Sequence, residues 1–216
     1  MTTATFAAPM APRLPARTGE VDSRAAYLGF AFAYLFGHGA SALSKGDNPL
    51  IALPAWLPTV LLIAGLAAGT VFATLAALRA QKGLSGPEAF SGKLIGAAWV
   101  IGMAGLALTI NGLHALPGMP NVHSMLWPAG AGFVVGLLYL GEGAVRRNVL
   151  HYVLGSYLTL ISSAALFLGA PGLFWALAVA GTGGFLVAAV LEHRRLAAVQ
   201  AGARTSADGP VRPRGR

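Results

Sequence analysis

The chain has 216 residues, of which 56% are hydrophobic and only 10% charged. Soluble domains carry about 25% charged residues, so an ordinary water-soluble globular protein is excluded. There is no cysteine, which excludes disulfide scaffolds, thiolate metal sites and thiol nucleophiles. The net charge is +8, and its placement along the chain carries more information than its size.

Residues 1–24 are rich in Thr, Ala and Pro and are expected to be a disordered tail. After them, stretches without Asp, Glu, Lys or Arg run over 25–44, 48–78, 94–141 and 148–191. A bilayer core about 30 Å thick takes about 20 apolar residues per helix, and a charge at its centre costs about 2.5–3.5 kcal/mol. The last two stretches are too long for one crossing. Pro117-Gly118-Met119-Pro120 interrupts one and Pro171-Gly172 the other, and helices end at such breakers. The expectation is an all-α membrane protein, a bundle of six transmembrane helices near 25–43, 57–79, 94–116, 125–145, 149–169 and 173–192. Residues 194–216 form a basic tail expected to be disordered.

Charge placement supports that count. With six spans, every Lys and Arg except Lys45 falls on one side, in the tails and in the turns bearing Arg79, Lys82, Lys93, Arg146 and Arg147. By the positive-inside rule, both termini are cytoplasmic in a bacterial plasma membrane. Trp56, Trp127 and Trp175 each stand at the outer start of a descending span, where indole rings favour the headgroup boundary. Their spacing suggests three helical hairpins, 1–2, 3–4 and 5–6.

Helices in lipid associate through close packing of small residues. Span 2 has Gly65, Gly69, Ala73 and Ala77 in one row, span 4 has Gly132 and Gly136, and span 6 has Ala176, Ala180, Gly184 and Ala188. In span 3, Gly102, Gly105, Thr109 and Gly112 follow helical spacing. These rows imply a tight bundle; the one on span 2 alternatively offers a homo-oligomer face. The lipid bilayer is the expected partner, and the basic tail is read as a topology determinant against anionic lipid, not as a nucleic-acid site.

Chemical motifs are sparse. The string from Gly86 to Leu94 approaches the phosphate loop of ATPases but has one residue too many between its glycines, and Leu94 replaces the hydroxyl that would hold magnesium. Gly181-Thr182-Gly183-Gly184 begins like a dinucleotide fingerprint without its last glycine and reads as helix packing. No histidines stand at metal-ligand spacing, so no metal, cofactor or enzymatic activity is expected. Glu142 precedes Arg146 by four residues, the favourable order for an intrahelical ion pair. His151, Glu192, His193 and Arg194 fall at inner span ends, where solvation at the interface accounts for them.

Ionisable or polar residues within spans are functional candidates. His38 lies about 8 Å below the outer end of span 1 at 1.5 Å per residue, with Tyr34 one turn below. Asn111 and His114 share one face of span 3 at comparable depth. Together these four residues form a candidate polar binding pocket in the outer leaflet, and Ser156, Thr159 and Ser163 form a hydroxyl stripe on span 5 that extends it inward. The alternative is that each hydroxyl bonds its own helix. No Asp or Glu lies near the midplane, which disfavours transport driven by a carboxylate relay.

Three stretches carry a resemblance: Leu137 to His151 (LLYLGEGAVRRNVLH), Tyr34 to Ala40 (YLFGHGA) and Val190 to Arg195 (VLEHRR). Over about residues 25–196 the chain resembles small six-span actinobacterial membrane proteins labelled ABC transporter permeases. The resemblance implies a membrane subunit working with a separate ATPase subunit; the leading expectation is a membrane transport protein, a permease subunit or small-solute permease. A weaker likeness, in size and in the span 2–3 hairpin, is to the six-span acetate/succinate channel family. The competing expectation is a non-transporting membrane protein that anchors, stabilises or regulates a partner.

Overall fold

The computed structural model describes residues 20–118 and 122–207, which are overwhelmingly helical and contain no strand. Six helical rods follow in order: α1 over 24–44, α2 Leu57–Gln81, α3 Gly86–His114, α4 Val122–Arg146, α5 Val149–Ala165 and α6 over 169–207. Pro58 and Pro87 stand in the first turns of α2 and α3, where a missing N–H costs nothing. Asn148 caps α5 by accepting the His151 amide at 3.2 Å. Arg147, at φ 54°, makes the sharp α4–α5 turn.

Four helical runs are long and apolar enough to cross a membrane: Leu57–Gln81, Gly86–His114, Val122–Arg146 and Val149–Ala201. The difference from six has a local cause at each place. The last run reverses at Gly169 (φ 61°) and Ala170 (φ −89°, ψ 137°), so it comprises two rods, α5 and α6. The helix α1 is divided by a π turn over Ala33–His38 into pieces of nine and six residues.

The surface supports lipid as the solvent. Val100 and Leu108 of α3 are 71% and 76% exposed, and Leu160, Val179 and Phe167 also point outward. Large exposed apolar surface on this scale is foreign to water-soluble monomers.

In the core, α1, α4, α5 and α6 surround Tyr27, Tyr34, Leu158, Leu173, Leu177 and Phe185. The helix α2 packs on the outside of α1, and α3 on the outside of α4. Of the expected hairpins, 1–2 and 3–4 pair. The most extensive contact in the molecule is instead between α4 and α5, and α6 lies against α1 as well as α5, so the threefold hairpin repeat gives way to a four-helix centre with two flanking helices.

Small residues make the closest approaches. A Cβ on Gly155 would lie 2.3 Å from Leu140 N, and one on Gly136 2.5 Å from Thr159 N, so backbone meets backbone between α4 and α5. The row on α2 is likewise occupied within the chain: a Cβ on Gly65 would lie 2.5 Å from Ala33 N, and one on Gly29 2.6 Å from Gly69 N. The span 2 face proposed for a homo-oligomer is therefore filled by α1. On α3 the expected row packs only at its first position, where a Cβ on Gly102 would lie 3.3 Å from Val134; among the described residues nothing lies within 4 Å of a Cβ at Gly105 or Gly112.

The second π turn, Leu177–Gly181 of α6, faces the first. The Tyr34 ring lies over Gly181, where a Cβ would come within 2.1 Å of Cδ1. A π turn frees backbone carbonyls and is frequent at functional sites; here Ala180 O accepts the Tyr157 hydroxyl at 2.9 Å.

Both expected disordered tails need correction. Residues 20–23 are held against the bundle, with Val21 and Ser23 buried; residues 1–19 lie outside the described set. The helix α6 continues to Ala207, because 196–203 is rich in Ala and other strong helix formers; 208–216 lie outside the description.

Candidate functional site

A buried polar centre occupies the end of the bundle where residue 20 meets α6. Glu192 is fully buried and its carboxylate accepts three hydrogen bonds. Arg195 donates from Nε to Oε2 at 2.7 Å and from Nη2 to Oε1 at 2.9 Å. The Ser23 amide donates to Oε1 at 3.2 Å. A forked guanidinium–carboxylate pair is among the strong charge-assisted bonds, and it makes this burial tolerable. Arg195 also pairs with Glu20 and donates to Val21 O at 3.0 Å. Burial lowers the Arg195 pKa.

Arg195 thus ties residues 20–23 across the end of α6, while Val21 packs on Ala76 and Ala80 of α2. Outside this knot, Arg24 clasps Asp22 at 2.7 Å and donates to His193 Nδ1 at 3.2 Å. The hydrogen bond to Arg24 holds the Asp22 carboxyl below its ordinary range and raises the pKa of Arg24.

Ser23 links Glu192 to a second buried group. Its Oγ shares a hydrogen bond of 3.3 Å with His151 Nε2. His151 is 2% exposed, and its Nδ1 has no hydrogen-bond partner among the described residues. Two tyrosines meet it edge-on, Tyr139 at 5.1 Å and Tyr27 at 6.0 Å between centroids. Trp99 meets Tyr139 edge-on at 5.4 Å and lines one cleft with Glu142. The Glu142–Arg146 ion pair forms as expected, at 2.9 Å.

A second polar tier lies deeper. Ser162 is fully buried, and its Oγ has no hydrogen-bond partner among the described residues. It shares space with Tyr34 Oη, both lying within 3.0 Å of where a Gly132 Cβ would sit. Tyr34 in turn meets His38 edge-on at 4.9 Å, and His38 stacks on Phe174 at 6.3 Å. Phe185 separates the tiers: its ring is 6.3 Å from Tyr27 on one side and 5.3 Å from Tyr34 on the other.

The residues expected to form the outer-leaflet pocket divide. Tyr34 and His38 come together in the core. Asn111 and His114 do not join them: both are exposed, on a helix that leans on α4. Asn111 donates to Ala107 O on its own helix at 2.7 Å, and His114 pairs with His123 at 4.2 Å. The hydroxyl stripe bonds its own helix at every position: Ser156 to Tyr152 O, Thr159 to Gly155 O and Ser163 to Thr159 O, all at 2.8–2.9 Å. Ser162, one residue aside from that stripe, is the hydroxyl that faces the core. Glu192 and His151, assigned to interfacial solvation, are buried. The Arg195 three residues after Glu192 was the available signal, since it can neutralise the carboxylate from one turn away.

No protein-family model, curated protein or solved structure matches the chain.

Proposed function

We propose that this chain is a six-crossing protein of a bacterial plasma membrane, with both tails cytoplasmic. In this reading it is a transport protein, a small-solute permease or permease subunit that relies on a separate ATPase or on no ATPase at all. One observation carries the reading: Glu192 and His151 are completely buried among apolar helices, joined through Ser23. Buried ionisable groups that face the interior of a transmembrane bundle are costly and mark solute or proton pathways. The His151 Nδ1 and Ser162 Oγ, unpartnered among the described residues, with Tyr27, Tyr34 and His38, continue a polar column towards the other end. In this account residues 20–23 plug its cytoplasmic mouth and Phe185 its middle.

A second reading is favoured by α3, whose Gly105 and Gly112 leave an open small-residue face. Such a face suits a neighbouring helix, as in a membrane protein that anchors or regulates a partner. Proteoliposome flux against a panel of small solutes separates the two. Flux in the wild type that falls in E192Q supports transport; absence of flux for every solute, with stoichiometric recovery of one partner, overturns it.

A further inference from the structure

A cleft of about 310 Å³ opens between α3 and α4 near the end that carries Arg146. Its volume falls at the lower edge of ordinary small-ligand sites. Leu94, Ile95, Leu138 and Val145 make apolar walls, with Trp99 and Glu142 beside them. Glu142 is already charge-balanced by Arg146, whose Nε lies 2.9 Å from its carboxylate, so the cleft offers a cation no unbalanced negative charge. Positive charge is what remains in excess. Arg146 meets Glu142 through Nε, and its terminal nitrogens make no ion pair or hydrogen bond among the described residues. Lys93 precedes Leu94 of the wall, and Arg147 follows Arg146; both are exposed, and neither forms an ion pair among the described residues.

We propose that this cleft binds an anionic phospholipid, with an acyl chain along the apolar walls against Trp99 and the phosphodiester at Arg146, Lys93 and Arg147. Basic pockets between transmembrane helices on the cytoplasmic side take such headgroups. The inference rests on the membrane part of the preceding reading and is independent of whether any solute is moved.

The test uses full-length protein in lipid nanodiscs with one tryptophan retained. In the W56F/W127F/W175F variant, Trp99 is quenched by brominated phosphatidylglycerol or brominated phosphatidylcholine. Half-maximal quenching is expected at about five-fold lower mole fraction of the anionic lipid, the equivalent of roughly one basic contact. The preference is expected to shrink in K93Q/R147Q and in E142Q/R146Q, which removes the ion pair without stranding a carboxylate, and to vanish when all four substitutions are combined. Equal quenching by both lipids, or a preference unchanged in all these variants, overturns the site. A control retaining only Trp175 separates this failure from failure of the membrane reading: with no quenching of Trp175 by either lipid, the chain does not sit in the bilayer.

Discussion

The Ser23 amide and the Glu192 carboxylate, 169 positions apart, meet in a hydrogen bond of 3.2 Å. The contact closes the bundle end to end: the residue just before α1 is bound to the turn of α6 from which Arg195 reaches back. Residues 20–23 are thereby part of the fold rather than an appendage to it.

Arg195 should therefore be costly to remove. Truncating one partner of a buried ion pair strands the other and costs about 3–5 kcal/mol. We expect R195Q to lose stability near the lower end of that range, because Arg195 is partly exposed, and E192Q/R195Q to lose less than the sum of its single variants. Thermal unfolding in detergent across the double-mutant cycle checks this; additive losses would show that the pair is not coupled.

Phe185 fills the space between the two polar tiers. F185A is expected to destabilise by about 3–5 kcal/mol. Under the transport reading it should also raise passive solute leakage in vesicles above that of F185L. A leakage assay on folded material that finds both variants as tight as the wild type counts against a pathway through this core.

Glycine contacts give a sharp contrast. A Cβ at Gly155 meets the α4 backbone at 2.3 Å, whereas one at Gly105 meets nothing within 4 Å. G155A should lower stability by about 1–3 kcal/mol or more through overpacking. G105A should be neutral or stabilising by up to about 1 kcal/mol from helix propensity. Similar unfolding temperatures for the two variants would contradict the packing described for α4 and α5.

Asp22 supplies a pH dependence with a defined sign. Its folded pKa is depressed, first by the hydrogen bond to Arg24, so its contribution is present above the ordinary carboxylate value and fades as pH falls through the lowered one. Both side chains are nearly half exposed, and such pairs contribute little. The stability gap between wild type and D22N should be small at neutral pH, start to narrow below about pH 4, and close only once pH has fallen through the lowered folded value.

Orientation can be read directly, because the chain has no cysteine. R147C and K45C should be labelled by an impermeant thiol reagent from opposite sides of the membrane, with R147C on the cytoplasmic side. Labelling of both from one face would overturn six crossings.

The sequence made the helical rods and their breaks legible, because Pro171-Gly172 and long uncharged stretches act locally. Glu142 and Arg146 were legible for the same reason, lying one turn apart. What escaped was set by which helices neighbour which. Asn111 and His114 share a face and a depth with the expected pocket, yet α3 sits outside α4 and turns them away from α1. His151 and Glu192 look like ordinary interfacial residues until Ser23, just before α1, bridges them and Tyr27 of α1 and Tyr139 of α4 close on His151.

The π turn at Leu177–Gly181 carries a phase consequence. Each extra residue in a helical turn rotates everything beyond it by about 100°. The row Ala176, Ala180, Gly184 and Ala188 was counted straight through this turn; only Ala188 is buried, while Ala178, Phe185 and Glu192 face the interior. A one-residue deletion there would leave composition and hydropathy almost untouched. It would nonetheless swing the half of α6 bearing Glu192 out of phase with the half bearing Phe174, taking the carboxylate away from the Ser23 amide.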